Sequence, residues 1–244
     1  MNYFALLIML LFIYPGLNAQ TSEPISVASY NIRYSTPDDG QNAWSKRKEH
    51  VRALIRYHEF DIIGTQEGLF EQIKYLAEMD KYDYTGKGRS DGSHGGEHSA
   101  IFYRTDRCQL LDEGNFWLSE TPGKPSLGWD ANFKRLCSWA KLKDRSSGQV
   151  FYVFNVHFDH QAEKARKESA RLMVQKIRNI AGDFPVFCTG DFNANPDSGP
   201  IEKMMSLLED SYHLSQTPPY GPTGTFSGFK IQEPPERRID YIFV

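Results

Sequence analysis

The strongest constraint in this 244-residue chain is a series of short apolar runs that each stop at a polar cluster, with helical periodicity between some of them. Residues 25–32 (ISVASYNI) read as a buried strand reaching Asn31, and Pro37-Asp38-Asp39-Gly40 then marks a turn. Val51, Leu54, Ile55 and His58 recur at i, i+3, i+4 and i+7, which predicts a helix beginning near Trp44. Residues 60–66 read as a second apolar strand and 69–79 as a second helix, a β-α-β-α opening. Residues 99–104, 108–118, 136–142 and 150–156 are strand-like runs separated by turn-rich segments, the pattern of an antiparallel meander. A long helix follows, with Ala165, Ser169, Leu172, Met173, Ile177 and Ile180 along one side. Strand 185–189, a short helix at 201–208, a loop rich in Pro, Gly and Thr, and a last strand at 239–244 complete the order. No repeat and no linker divides the chain. The expected class is α/β, a two-layer β-sandwich flanked by helices.

The first residues stand apart from that pattern. Residues 4–13 (FALLIMLLFI) are wholly apolar, but a membrane-spanning helix needs about 20 such residues. Pro15-Gly16 breaks the run, and Leu17-Asn18-Ala19 offers a cleavage point, so residues 1–19 are expected to be an export signal. The expected product is residues 20–244, without a transmembrane segment or lipid-modified Cys, in the periplasm or outside the cell. Its Cys108, Cys137 and Cys188 show no C-x-x-C spacing, and at most one pair could form. Cys188, in the apolar run FPVFCTG, reads as a core residue. With 28 Lys and Arg against 31 Asp and Glu, the net charge is -3, and no stable binding of duplex DNA is expected.

The polar clusters carry the chemistry. They are Asn31, then Gln66-Glu67, then Asn155, His157, Asp159 and His160 in NVHFDH, then Asp191 and Asn193 in GDFN, and Asp240 in RIDY. Each alone is a common cap or turn residue. Together they supply carboxylates, amides and imidazoles from separate strands without thiolates, a set that suits a hard cation such as Mg²⁺, or Mn²⁺. Such an ion polarises a phosphoryl oxygen, a nearby His donates to it, and an Asp–Asn pair orients a water. The set predicts hydrolysis of a phosphodiester or phosphomonoester by direct water attack.

The order YNI, QE, HFDH, GDFN and IDYIF resembles the endonuclease/exonuclease/phosphatase superfamily, with its deoxyribonuclease-I-like fold. It is similar in particular to exported bacterial members with an FYR…GNFWLSETP run, here Phe102-Tyr103-Arg104 and residues 115–122. The resemblance spans about residues 25–244 and implies a four-layer α/β/β/α architecture. It implies Glu67 as the principal metal ligand, with Asn31 beside it on metal or phosphate. His157 would stabilise the phosphoryl transition state, Asp191 would orient and deprotonate the water, and Asn193 would hold the phosphate. Asp240 would support the metal or a further catalytic His. Arg104, Asp159 and His160 would contact substrate. Family members normally continue past IDYIF to a Ser-Asp-His motif. His213, the single His after GDFN, lies in SYHLSQ and does not match, so the domain is expected to be C-terminally incomplete. A catalytically impaired form that binds a phosphorylated ligand is the alternative. The substrate expected is a small-molecule, lipid head-group or nucleic-acid phosphoester, acted on by a monomer.

Rival motifs fit less well. Asp191, Asn193, Asn195, Asp197 and Glu202 follow a calcium-loop spacing, but Pro196 occupies the position that needs Gly. Gly88-Arg89-Ser90-Asp91-Gly92 matches the G-x-S-x-G elbow of serine hydrolases, which requires a following helix, and Gly92-Ser93-His94-Gly95-Gly96 opposes one. The inverted zinc-protease pattern His94 to His98 needs a helix too. Both are expected to lie in a flexible loop near the substrate mouth. Phe116, Trp117, Trp129 and Phe133 are expected to pack in the core rather than line a cleft. The basic residues between Lys164 and Arg178 are expected to form a solvated helix face.

Overall fold

The computed structural model describes residues 23–244 except Ile231. The expected export signal lies outside the described residues. The opening follows the periodicity closely: β1 (Val27–Asn31), α1 (Trp44–His58), β2 (Ile62–Gln66) and α2 (Phe70–Ala77), with a 3-10 turn over Pro37–Asn42. Then come β3 (Tyr82–Thr85), β4 (Ile101–Arg104), β5 (Cys108–Trp117), β6 (Leu136–Asp144) and β7 (Val150–His157). The chain ends with α3 (Glu163–Ala181), β8 (Val186–Asp191), α4 (Gly199–Met205), α5 (Ser211–Leu214) and β9 (Asp240–Phe243). No helix among the described residues is long and apolar enough to cross a membrane.

Two sheets form, in the orders β1-β2-β4-β3 and β5-β6-β7-β8-β9. The expected four-strand meander is therefore divided. β5, β6 and β7 are its antiparallel members, while β4 joins the first sheet between β2 and β3. The physical reason is β3: its sequence YDYT has no apolar run to announce it, yet it supplies the partner that holds β4 there.

Period-2 alternation sorts the side chains into layers. Ile62 faces the interior between the sheets with Leu142, Phe151 and Val153, while its neighbour Ile63 faces α1 and α2 with Val51, Ile55 and Ile73. On the other side Phe154, Val156 and Cys188 pack against Met173 and Ile177 of α3. Helices, sheet, sheet and helices make four layers, and all three cysteines are buried free thiols.

Between the sheets the apolar layer gives way to amides as it approaches one rim. Fully buried Asn155 donates to Thr65 O at 2.8 Å and Ala100 O at 2.9 Å, and accepts from Gln66 Nε2 at 2.7 Å and Thr189 Oγ1 at 3.0 Å. This polar staple joins β2, β7 and β8. Gly64 makes room for it, since a Cβ there would fall 2.0 Å from Thr189 Oγ1.

Candidate active site

Strand direction decides where the polar clusters meet. β1 runs parallel to β2, with Asn31 opposite Gln66, and β7 runs parallel to β8, with His157 opposite Asp191. β9 returns antiparallel to β8 and sets Asp240 opposite Asp191. Because β1 packs on both β8 and β9, these ends share one rim. Three residues just past the strands adopt left-handed backbone: Arg33 (φ 54°), Glu67 (φ 64°) and Asn193 (φ 48°). Non-glycine residues occupy that region at a cost, and such strain gathers at functional sites.

A cleft of about 490 Å³ opens at this rim, lined by Asn31, Glu67, His157, Asp191 and Asn193 among others. Asn31 Nδ2 donates to Glu67 Oε1 at 2.9 Å and to Asp191 Oδ2 at 3.0 Å, bridging two carboxylates. Its Oδ1 accepts from Arg33 N at 3.0 Å, and Glu67 Oε2 accepts from Tyr34 N at 3.2 Å. Asp191 Oδ1 accepts from Asn193 N, and Asn193 Nδ2 reaches His157 Nε2 at 3.0 Å and Phe158 O at 3.1 Å. His157 Nε2 is also 3.7 Å from Asp191 Oδ2. Asp240 Oδ2 accepts from Thr225 Oγ1 at 2.6 Å, whereas its Oδ1 is buried with no hydrogen-bond partner.

Burial and like charge set the protonation states. Burial, then the facing Asp240, raises the Asp191 carboxyl above the usual carboxylate range. Asp240 is raised by burial and by Glu67. Burial keeps His157 neutral, reinforced by Arg135, Arg89 and His160 nearby. Glu97, whose Oε2 lies 4.0 Å from His157 Nδ1, is raised chiefly by burial, although Arg89 Nη2 stands 2.8 Å from its other oxygen.

No group of three His, Cys, Asp or Glu residues forms a ready-made metal cage among the described residues. The donor set instead fits one hard cation that retains several waters, as Mg²⁺ does on one or two carboxylates. The orphaned Asp240 Oδ1 and the mutual repulsion of Glu67, Asp191 and Asp240 are strains that a cation relieves.

Not every expected residue arrives. Arg104 ends β4, antiparallel to β2, and its backbone N–H bonds Asp61 O, ahead of β2, whereas Glu67 follows β2. At about 3.3 Å per residue that separation is roughly 20 Å. Arg104 instead grips Asp106 with two hydrogen bonds of 3.0 and 2.8 Å, so its reading as a substrate contact is revised. Asp159 is revised too. Only 1% exposed, it accepts from Gln161 N and Ala162 N and faces Arg135 at 3.6 Å, behind the cleft wall. His160 does line the cleft, with Nδ1 3.0 Å from Arg135 Nη2.

Eight lining residues escaped the sequence reading: the charged Arg33, Arg89, Glu97, Arg135 and Arg237, and Tyr34, Phe226 and Ile239. Arg135 had a weak signal, a charge immediately before the apolar run LCSWA. Arg89 and Glu97 sit in the Gly-rich segment around Ser90, which is closed by Gly92 N to Gly88 O and Ser90 N to Gly95 O bonds. No helix follows Ser90, so the elbow reading fails, and none contains His94 or His98. The calcium-loop reading fails as well, because Asp191 ends a strand and is committed with Asn193 to the cleft. Phe116 and Trp117 are core residues as expected, but Phe133 is exposed on the cleft wall.

The profile of the endonuclease/exonuclease/phosphatase family matches residues 28–244. The chain belongs to that family. Members of the endonuclease/exonuclease/phosphatase family are hydrolases of phosphoesters, and the four layers described above are its fold. Among solved structures, the chain is similar to the mannosyl-6-phosphatase Bt3783 of Bacteroides thetaiotaomicron VPI-5482. The two are 42% identical with a TM-score of 0.87, over 90% of this chain and 85% of that one. A functionally unknown conserved protein of Enterococcus faecalis V583 is 33% identical with a TM-score of 0.85, over 90% and 87%. Among curated family relatives, Drosophila melanogaster Nocturnin is 29% identical over 167 residues, 63% of this chain. The chain spans 24% of Nocturnin's length, and 60% of that of the mimivirus protein L388, also 29% identical.

Proposed function

We propose that this protein is an exported, divalent-metal-dependent phosphatase that removes a phosphate from a small organic phosphomonoester by direct water attack. The observation that carries the reading is the Asn31 bridge between Glu67 and Asp191, set beside a neutral His157 in an arginine-lined cleft. A phosphomonoester is favoured over a diester by the likeness to a mannosyl-6-phosphatase, and export by the apolar leader at residues 4–13.

Mg²⁺ or Mn²⁺ held by Glu67 and Asn31 would polarise a phosphoryl oxygen and offset charge on the leaving oxygen. Asp191 orients the attacking water, and its raised pKa suits it to take the water's proton near neutrality. Oxygen then bonds to phosphorus as the ester P–O bond breaks, and the leaving oxygen takes a proton from solvent. His157 is neutral and Asn193 Nδ2 donates to its Nε2, so the pair would serve a phosphoryl oxygen by exchanging that mutual bond for bonds to the phosphate. Arg135 lines the cleft with a buried guanidinium: Nη2 lies 3.0 Å from His160 Nδ1 and Nε faces Asp159 Oδ2 at 3.6 Å, which leaves Nη1 without a hydrogen-bond partner as the donor that a small rotation would turn to the phosphate.

The test is hydrolysis of a panel of phosphomonoesters and phosphodiesters with Mg²⁺, with chelator, and by Asp191→Ala. Expected is metal-dependent phosphate release, fastest on monoesters, falling at least about 100-fold in the variant. Absence of turnover in a protein that circular dichroism shows folded favours the impaired, ligand-binding alternative. A preference for diesters favours a nuclease or phosphodiesterase.

A further inference from the structure

Two phenylalanine rings remain exposed to solvent in a cleft whose other lining residues are mostly charged or polar. Phe133 is 43% exposed and Phe226 54%, and both line the cavity that holds His157 and Asp191. Exposed aromatic surface on this scale forgoes favourable burial, and nothing in the hydrolytic chemistry requires it. Neither ring is loosely attached. Phe133 stacks on His160 at 5.7 Å between centroids and 25° between planes, and the Arg89 guanidinium lies 5.5 Å from its centroid. Phe226 N donates to Arg237 O at 3.1 Å, and the preceding Thr225 is the residue whose hydroxyl holds Asp240. The rings come from different connections, β5–β6 and α5–β9, and are each anchored to a residue of the site.

The polar groups around them are mostly donors. Arg33, Arg89 and Arg237 offer N–H groups, which hydroxyl oxygens accept. The two lining asparagines are already bonded, Asn31 to carboxylates and Asn193 to His157 and Phe158 O. Neither asparagine therefore offers a free amide of the kind that reads a base edge with two hydrogen bonds. Flat apolar faces with donors at their margins match a ring that has C–H groups on its faces and hydroxyls at its edge.

Building on the phosphatase reading, we propose that Phe133 and Phe226 form the subsite for the alcohol part of the substrate, and that this part is a pyranose ring. The substrate is then a sugar phosphate, its ring against the phenylalanines and its phosphate between His157 and Arg135.

The test compares kcat/KM for mannose 6-phosphate, ringless glycerol 3-phosphate and adenosine 5′-monophosphate in wild type, Phe133→Ala, Phe226→Ala and Phe133→Trp. Expected is an approximately tenfold loss on mannose 6-phosphate in each Ala variant, through KM, with less than twofold change on glycerol 3-phosphate and recovery in Phe133→Trp. Equal losses on both substrates mean a purely structural role and overturn the subsite. Adenosine 5′-monophosphate as the preferred substrate overturns the pyranose assignment. Calorimetric binding of mannose 6-phosphate to the Asp191→Ala protein, in Mg²⁺ and with and without Phe133→Ala, separates the two readings. Binding weakened about tenfold by Phe133→Ala supports the subsite even if wild type shows no turnover, which would sink the phosphatase reading alone. No binding, or binding indifferent to the substitution, overturns the subsite.

Discussion

Arg104 closes an apolar run at the end of β4, and Arg135 precedes one at the start of β6. In the sequence the first looks better placed, because a strand end is where an active site collects its side chains. The difference lies in strand direction, which a sequence does not print: β4 runs antiparallel to β2, so its last residue is carried away from Glu67. Arg135 is 4% exposed, and burial, then the like charge of Arg89, pulls its pKa down despite nearby Glu97 and Asp159. Replacing Arg135 by Gln should lower kcat/KM about 10- to 100-fold, the value of one or two charge-assisted hydrogen bonds. Replacing Arg104 by Gln should leave kcat/KM within about twofold, since its partners are Asp106 and Asp61. Steady-state kinetics on both variants decides the matter, and a larger effect from Arg104 would reverse the assignment. Glu67, His157, Asp191, Asn193 and Asp240 were legible because parallel pairs and one tight antiparallel pair bring their strand ends together. Glu97 and Arg89 were not, because a Gly-rich loop has no periodicity from which a direction can be read.

At the level of elements, the sequence was informative wherever a continuous apolar run or an apolar helical stripe stands out. β2 and β7, buried on both faces, and α3, buried along one, carry that signal and appear within a residue or two of expectation, as β5 does. β3 does not carry it, and its omission is what misplaced β4. The β6–β7 hairpin shows a second kind of information, polar and local. Its turn is organised by Asp144, 2% exposed, which accepts from Ser146 N and Oγ, from Ser147 Oγ, and pairs with Arg107 Nε at 3.0 Å. Burial alone would raise this carboxyl, but the hydroxyls, the N–H groups and Arg107 outweigh it and bring the pKa down to about 2. A group depressed in the folded state stabilises it fully above its unfolded pKa, and that stability disappears as pH falls through the folded value. The window here is roughly pH 4 to 2, and the contribution is on the order of 2 kcal/mol. Urea midpoints at pH 7 should show Asp144→Asn less stable by about that amount, with a flatter decline below pH 4 than wild type. Parallel curves for the two proteins would assign the acid sensitivity elsewhere.

Across the whole molecule, charge is distributed against its own sum. The chain carries a net charge of -3, which by itself argues for weak attraction to phosphoesters. The cleft is different. Four arginines, Arg33, Arg89, Arg135 and Arg237, line it against three acids, Glu67, Glu97 and Asp191. Of those acids, Glu97 and Asp191 are held above the usual carboxylate range by burial, so their negative charge is the more readily given up to a proton or cation. The Asn155 staple keeps the two sheets in the register that assembles this charge from both, and the divalent ion proposed at Glu67 would add to it. A dianionic substrate therefore meets an attractive field at the mouth of a weakly acidic protein. Raising the ionic strength from about 0.02 to 0.3 M shortens the screening length from roughly 20 to 6 Å, less than the reach across such a cleft. The expected result is a several-fold fall in kcat/KM for a small phosphomonoester, carried by KM, with kcat changed less than about twofold. Arg237 is exposed and shared with the neighbouring groove, so Arg237→Gln should make that salt dependence shallower without abolishing turnover. A salt-independent KM in wild type would mean that the paired acids cancel the arginines at long range, leaving Arg135 to act only at contact distance.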